Sequence, residues 1–137
     1  MRYYYEIWAD AIEAAEKSES YMTLKDKMFV LLIGFSLAQG LNLALFILII
    51  SIFVKTNFFL NLNIFPGTYL DNALSGFITL LLPFLLLNYI LIFYKKKHIK
   101  YKNCRKINTK GRFSFAYVLI SISVYVLYLL MGKLFFG

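Results

Sequence analysis

Three long apolar runs without a formal charge dominate this 137-residue sequence. They cover residues 28–54, 73–94 and 113–136, and Lys133 is the one charge inside them, within a turn of the chain end. An α-helix needs about 20 apolar residues to cross the roughly 30 Å hydrocarbon core of a bilayer, whereas barrel strands would alternate over about ten. The sequence therefore predicts an all-α membrane protein with three transmembrane helices.

Charged residues are concentrated on one side of these runs. The formal net charge is +8, and nine of the fifteen Lys and Arg residues lie in segment 95–112, with four more in segment 1–27. Only Lys55 and Lys133 fall on the other side. Because cytoplasmic flanks hold the excess of Lys and Arg, the N-terminus and segment 95–112 are expected in the cytoplasm. The loop 55–72 and the C-terminus are then expected outside.

The segment 1–27 is predicted to be cytoplasmic and to contain a short amphipathic helix. Apolar and acidic side chains occupy different faces at helical spacing: Tyr5, Trp8, Ile12 and Ala15 on one, and Glu6, Asp10, Glu13 and Glu16 on the other. Such a helix either lies at the membrane interface or docks on the chain's own basic loop or on a partner. Thr23 followed by Asp26 resembles a capping box with Asp in place of Glu, which predicts a helix start before residue 28.

The outer loop, 55–72, is unusually apolar for a connection and contains the turn signal Pro66-Gly67. It is expected to lie in the headgroup region or, alternatively, on another membrane protein. Asp71, at its end, is expected to cap the first free amides of the second span.

The loop 95–112 is basic and contains no acidic residue. Cations beside two membrane ends are typical of contact with anionic headgroups, worth about 1 kcal/mol each near the surface. The candidate lipid contacts are Lys95, Lys96, Lys97, Lys100, Lys102, Arg105 and Lys106. Nucleic acid is not expected as a partner, because a short loop tethered at both ends offers neither a groove nor a stacking platform.

Small and neutral polar residues recur along each span. Small residues four apart allow two helices to approach closely, and amides and hydroxyls within the hydrocarbon are expected to face another helix. A proline in the second span frees a backbone carbonyl and predicts a kink. The candidate packing or partner-binding residues are Ser36, Gln39, Gly40, Asn42, Ala44, Thr79, Pro83, Asn88, Tyr117, Ser121, Tyr125 and Tyr128. Three roles are open for these residues: they form hydrogen bonds and packing contacts with one another within the bundle, they bind another membrane protein, or they line a path for a small polar molecule.

No segment carries a recognisable reaction centre. The single histidine, His98, and the single cysteine, Cys104, lie six residues apart in the basic loop and match neither a zinc site nor a catalytic dyad. The spans contain no Asp, Glu, His or Arg, one of which ion-coupled transport normally needs. We therefore expect no catalytic, metal-binding or cofactor-binding residue and no enzyme activity.

Two parts of the sequence carry a resemblance. In the second half of the chain the resemblance rests on Leu82-Pro83-Phe84, the segment 88–93, the Lys-rich run after it and the Tyr-containing last helix. At the start of the chain the resemblance rests on Arg2-Tyr3-Tyr4-Tyr5. In these features the chain resembles small uncharacterised membrane proteins common in Bacteroidota. The resemblance implies a multi-pass protein of the bacterial inner membrane and no known activity. In size and span number the chain is also similar to immunity proteins against pore-forming toxins.

The function predicted from these features is that of a non-enzymatic accessory or assembly subunit of an inner-membrane complex. Its expected partners are membrane lipids and another integral membrane protein, and a homo-oligomer is possible. The alternatives are an immunity-type protein, which would recognise a toxin's membrane region, and an anionic-lipid-binding protein.

Overall fold

A computed structural model describes residues 2–54, 64–94, 97–99 and 109–136, and every regular element within these ranges is helical. We number the helices α1 (Arg2–Lys17), α2 (Leu24–Val54), α3 (Tyr69–Phe93) and α4 (Arg112–Phe136). Helices α2, α3 and α4 are each long and apolar enough to cross a membrane. The predicted fold class, three membrane-spanning helices preceded by an N-terminal helix, is confirmed.

The start of α2 follows the predicted capping box. The Thr23 amide donates to the Asp26 carboxylate over 3.3 Å, and the Asp26 amide donates to the Thr23 hydroxyl over 3.3 Å. The Thr23 hydroxyl also donates to the same carboxylate over 2.6 Å. Because two otherwise free donors are satisfied reciprocally, the helix begins at Leu24, ahead of the apolar run.

The start of α3 differs from the prediction. Asp71 was expected to cap this helix, but Thr68 is the N-cap, and its hydroxyl accepts from the Asp71 amide over 3.3 Å. The Asp71 carboxylate instead accepts from the amides of Ile64 at 2.7 Å and Phe65 at 3.1 Å. Since the cap precedes the apolar run, α3 begins at Tyr69, and Asp71 fixes the end of the outer loop.

Pro83 interrupts the regular hydrogen bonding of α3. The segment Phe77–Leu81, which ends two residues before Pro83, forms a π-helical turn in which the Leu82 amide donates to the Phe77 carbonyl five residues earlier. A proline has no amide hydrogen and its ring crowds the carbonyl four residues back, so the preceding turn widens. A second π-helical turn, Tyr89–Phe93, ends the helix.

Helix α2 is the centre of the bundle. Buried residues make up 28% of its most apolar window, against 11% for α3 and for α4. Both α3 and α4 pack on α2, and within the described residues no interface of similar extent joins α3 to α4. In the predicted small-residue stripe of α2, Ser36 and Ala44 are buried and Gly40 touches α3.

Helix α1 is the fourth member of the bundle and packs on both α2 and α4. Its core residues Trp8 and Ile12 are 1% and 0% exposed, as the apolar face predicted. Part of the acidic face is buried as well, since Glu6 is 6% exposed and Asp10 is 1% exposed. Helix α1 is therefore buried on several faces where it meets α2 and α4.

Replacing Gly40 by Ala is expected to destabilise the bundle. A Cβ at this position would lie 2.7 Å from the Leu80 carbonyl oxygen, a backbone atom that cannot move cheaply. We expect a loss of about 1–3 kcal/mol in the free energy of unfolding, measured by denaturation in detergent micelles. Gly34→Ala is the matched control on the same helix, because nothing lies within 4 Å of its Cβ position. Equal stabilities of the two variants would contradict the close α2–α3 contact.

Candidate functional site

One face of α2 carries large or polar side chains from Phe35 to Phe53, near the end of the helix. Steps of four and three residues place six of them on this face: Phe35, Gln39, Asn42, Phe46, Ile49 and Phe53. We call this set the α2 stripe. Sequence reasoning selected only Gln39 and Asn42 from it, although the alternating spacing was a readable signal for the other four.

The α1 helix covers the first part of the α2 stripe. The Trp8 indole stacks on the Phe35 ring, with centroids 4.2 Å apart and an interplanar angle of 26°. The Phe93 ring of α3 meets the indole edge-on at 5.7 Å. Offset and edge contacts of this kind are favoured by the quadrupoles of aromatic rings. The aromatic cluster thus fixes α1 against both α2 and α3.

A polar network lies beside this aromatic cluster and joins three helices. The Asn88 amide nitrogen of α3 donates to the Ser36 hydroxyl at 2.9 Å and to the Gln39 side-chain oxygen at 2.8 Å. The Tyr4 hydroxyl of α1 donates to the Asn88 side-chain oxygen, and the Gln39 amide nitrogen lies 3.5 Å from that hydroxyl. Asn88 and Ser36 are fully buried. Four polar side chains therefore satisfy one another where lipid could not.

Burial raises the pKa of the Tyr4 hydroxyl above its usual 10.0. Desolvation disfavours the charged phenolate, so the group stays protonated. It therefore remains a donor to the Asn88 oxygen at all physiological pH values.

The Asp10 carboxylate connects α1 to the start of α4. It accepts from the Thr109 amide at 2.9 Å, the Thr109 hydroxyl at 2.6 Å and the Gly111 amide at 2.9 Å. The Ser114 hydroxyl adds a bond to the Ile7 carbonyl at 3.1 Å. A buried carboxylate with three donors beside a helix N-terminus is well compensated. The end of the basic loop is thus bound to α1, one of the docking modes considered for it.

A second polar contact joins α2 to α4 further along the stripe. The Asn42 amide nitrogen donates to the Tyr117 hydroxyl at 3.2 Å and to the Ser121 hydroxyl at 3.1 Å. Ser121 also donates to the Tyr117 carbonyl at 2.9 Å. Unlike the buried Asn88, the Asn42 side chain is exposed. Within the described part of the chain, the Asn42 side-chain oxygen receives no hydrogen bond.

The outer half of the stripe, from Asn42 to Phe53, is not covered by described residues. Phe46, Ile49 and Phe53 are 60%, 42% and 82% exposed. This is the half beyond the reach of α1, whose contact with α2 ends near Gln39. The α2 stripe is therefore one surface of which the first part is occupied by a helix and the second part is open.

The remaining candidate residues have varied positions. Ala44 is buried, Pro83 is exposed, and Tyr125 and Tyr128 are half-buried on α4. The buried Thr79 hydroxyl has no hydrogen-bond partner among the described residues.

The predicted lipid-binding cations lie mostly outside the described residues. Those without a described position are Lys95, Lys96, Lys100, Lys102, Arg105 and Lys106. Lys97 is described, and its ammonium donates to the Ile90 carbonyl near the end of α3 over 3.3 Å. The described part of the chain contains no group of three or more metal-ligating side chains.

No protein-family model, curated protein or solved structure matches this chain.

The polar network is expected to show direct coupling between α1 and α3. In a double-mutant cycle, Tyr4→Phe and Asn88→Ala should couple by roughly 0.6–1.7 kcal/mol in the free energy of unfolding, because each removes one side of the same hydrogen bond. The control cycle pairs Asn88→Ala with Tyr128→Phe and should be additive within about 0.5 kcal/mol. Additivity in both cycles would show that the network contributes no coupling.

Proposed function

We propose that this protein is a non-enzymatic accessory or assembly protein of the bacterial inner membrane, and that it binds another integral membrane protein through the outer half of the α2 stripe. The observation that carries the proposal is the exposed amide of Asn42 near the middle of α2, followed by the exposed Phe46, Ile49 and Phe53 on the same face.

An amide that faces lipid is unfavourable, because the hydrocarbon offers no hydrogen-bond partner. Asn42 satisfies its donors through Tyr117 and Ser121, and its side-chain oxygen stays available. A partner helix with a hydroxyl or amide donor at this depth would satisfy that oxygen. The three apolar side chains beyond it offer a continuous packing surface for the same helix.

The first part of the stripe supports this reading by example. There, α1 places an aromatic ring on Phe35 and a hydroxyl within reach of Gln39. A helix that repeats this pattern toward Phe53 would pack an apolar side chain on Phe46 and bring a polar donor to Asn42. The proposed partner is therefore a transmembrane helix with one polar residue on an otherwise apolar face.

The proposed orientation follows from charge. With α1 and segment 95–112 in the cytoplasm, as the excess of Lys and Arg favours, the open half of the stripe lies in the outer leaflet. The C-terminus then lies on the outer, non-cytoplasmic side of the membrane. This arrangement leaves α1 and its basic surroundings on the cytoplasmic side and presents the docking surface from the opposite leaflet.

A photo-crosslinking amino acid in place of Phe46 or Phe53 is expected to capture one membrane protein in native membranes. Phe29 is the matched control, because it lies on the same helix outside the stripe and has the same 60% exposure as Phe46. Products are identified by mass spectrometry. Equal capture from Phe29, or capture of lipid alone at all three positions, would contradict the proposal.

The same cross-link provides a test of Asn42. Asn42→Leu should lower the cross-linking yield from Phe53 by roughly 3- to 15-fold, the effect of one interhelical hydrogen bond in a membrane. The identity of the product separates the related functions. A subunit of a complex supports the accessory role, a pore-forming toxin supports the immunity role, and a second copy of the chain indicates a homo-oligomer.

The orientation is checked by cysteine labelling in a Cys104→Ser background. A cysteine replacing Gly137 should react with a membrane-impermeant maleimide in intact spheroplasts, and one replacing Ser20 should react only after permeabilisation. The reverse pattern would overturn the proposed orientation and move the open stripe to the cytoplasmic leaflet.

A further inference from the structure

A groove of about 520 Å³ opens between α1 and the first turns of α2 and α4. This volume lies within the range of about 300–1,000 Å³ found for small-molecule sites. Its walls include the small or apolar side chains of Ala11, Ala14, Ala15, Phe35 and Val118, together with Gly34. A Cβ atom added at Gly34 would meet no atom outside its own stretch of helix backbone within 4 Å, so the groove is open at that point. The lining is apolar at the end of the bundle where α2 and α4 begin.

Two cations complete the lining of the groove. Lys110 and Arg112 are both exposed, and the described lining contains no carboxylate. Lys110 and Gly111 have positive φ angles of 52° and 76°, a turn that the Asp10 carboxylate holds through its bond to the Gly111 amide. The backbone that presents the two cations is therefore fixed by α1. This arrangement places positive charge beside the apolar groove.

We propose that the groove binds an anionic glycerophospholipid. One acyl chain lies along the apolar wall formed by α1, α2 and α4, and the phosphate lies between Lys110 and Arg112. An acyl chain gains little by leaving the bilayer for another apolar surface, so the headgroup determines selectivity. A guanidinium binds phosphate oxygens with two parallel hydrogen bonds, and an adjacent ammonium adds charge.

This site differs from the two surfaces already considered. Neither Lys110 nor Arg112 belongs to the lipid-binding set predicted from the sequence, and the open half of the α2 stripe contributes nothing to the groove lining. The proposal therefore does not depend on partner binding. It also does not depend on orientation, because a reconstituted bilayer of uniform composition presents the same lipid to both ends of the bundle.

Trp8 provides a natural reporter of the groove. It is the only tryptophan in the chain, it is 1% exposed, and its indole stacks on Phe35, a lining residue, at 4.2 Å. Bromine atoms on an acyl chain quench tryptophan fluorescence at short range. A brominated chain in the groove would therefore quench Trp8 more strongly than a chain elsewhere around the protein.

The experiment uses the full chain in vesicles of phosphatidylcholine with increasing fractions of brominated phosphatidylglycerol or of brominated phosphatidylcholine. We expect phosphatidylglycerol to quench Trp8 at a mole fraction at least about tenfold lower, given about fivefold preference per cation near a membrane surface. In Lys110→Gln/Arg112→Gln, the two lipids should become equivalent. Lys25→Gln/Lys27→Gln removes the same charge from the same end of the bundle outside the groove lining, and should keep the preference.

Filling the groove tests the location of the acyl chain. Gly34→Leu should reduce quenching by both brominated lipids at least twofold, because its side chain occupies the open space. Gly76→Leu is the matched control, a helical glycine with open space that lies between α2 and α3. Circular dichroism confirms that each variant keeps its helices.

Three results would overturn the proposal. Equal quenching of the unaltered protein by the two lipids would remove the anionic selectivity. Loss of the preference in both double variants would assign it to general charge at this end of the bundle. Unchanged quenching in a folded Gly34→Leu variant would show that no acyl chain occupies the groove.

Discussion

A polar side chain inside a bilayer must find its partner within protein, because lipid provides none. Nearly every feature of this bundle follows from that constraint on α2. Ser36 and Gln39 bond to Asn88 of α3, and Asn42 bonds to α4. Gln39 is bonded to α3 and Asn42 to α4, although both lie on the same face of α2, so two neighbouring helices flank that face. Helix α2 is consequently the centre of the bundle, with α3 and α4 on separate sides.

The separation of α3 and α4 leaves space on α2 in which α1 packs. Two helices that each pack on α2 without an extensive interface of their own leave a cleft along the α2 stripe. At one end α1 closes it with Trp8 and Tyr4, and the buried Asp10 ties α1 to the start of α4. A helix of 16 residues is about 24 Å long, too short to follow the 31 residues of α2. The outer half of the stripe stays open for that reason.

Length, hydropathy and spacing predicted the three spans, the N-terminal helix and the Thr23–Asp26 capping box, because each depends on neighbouring residues alone. The small-residue stripe through Gly40 was also readable, since helical spacing fixes which residues share a face. The burial of the acidic residues Glu6 and Asp10 on α1 was not predictable. Burial of Asp10 requires three donors from the start of α4, about 100 residues away, and no local pattern reports such a contact. The error at Asp71 has a local cause instead: Thr68, three residues earlier, takes the N-cap position, and the Asp71 carboxylate accepts from amides of the loop before it.

Helix α1 links the two surfaces that are proposed to bind other molecules. One part of it covers the stripe at Phe35, and its alanines form a wall of the groove that Lys110 and Arg112 complete. Phe35 lies at the junction, stacked on Trp8 and also part of the groove lining. Because Phe35 belongs to both surfaces, a substitution there would alter both, whereas Asn42 belongs only to the stripe, and Lys110 and Arg112 belong only to the groove.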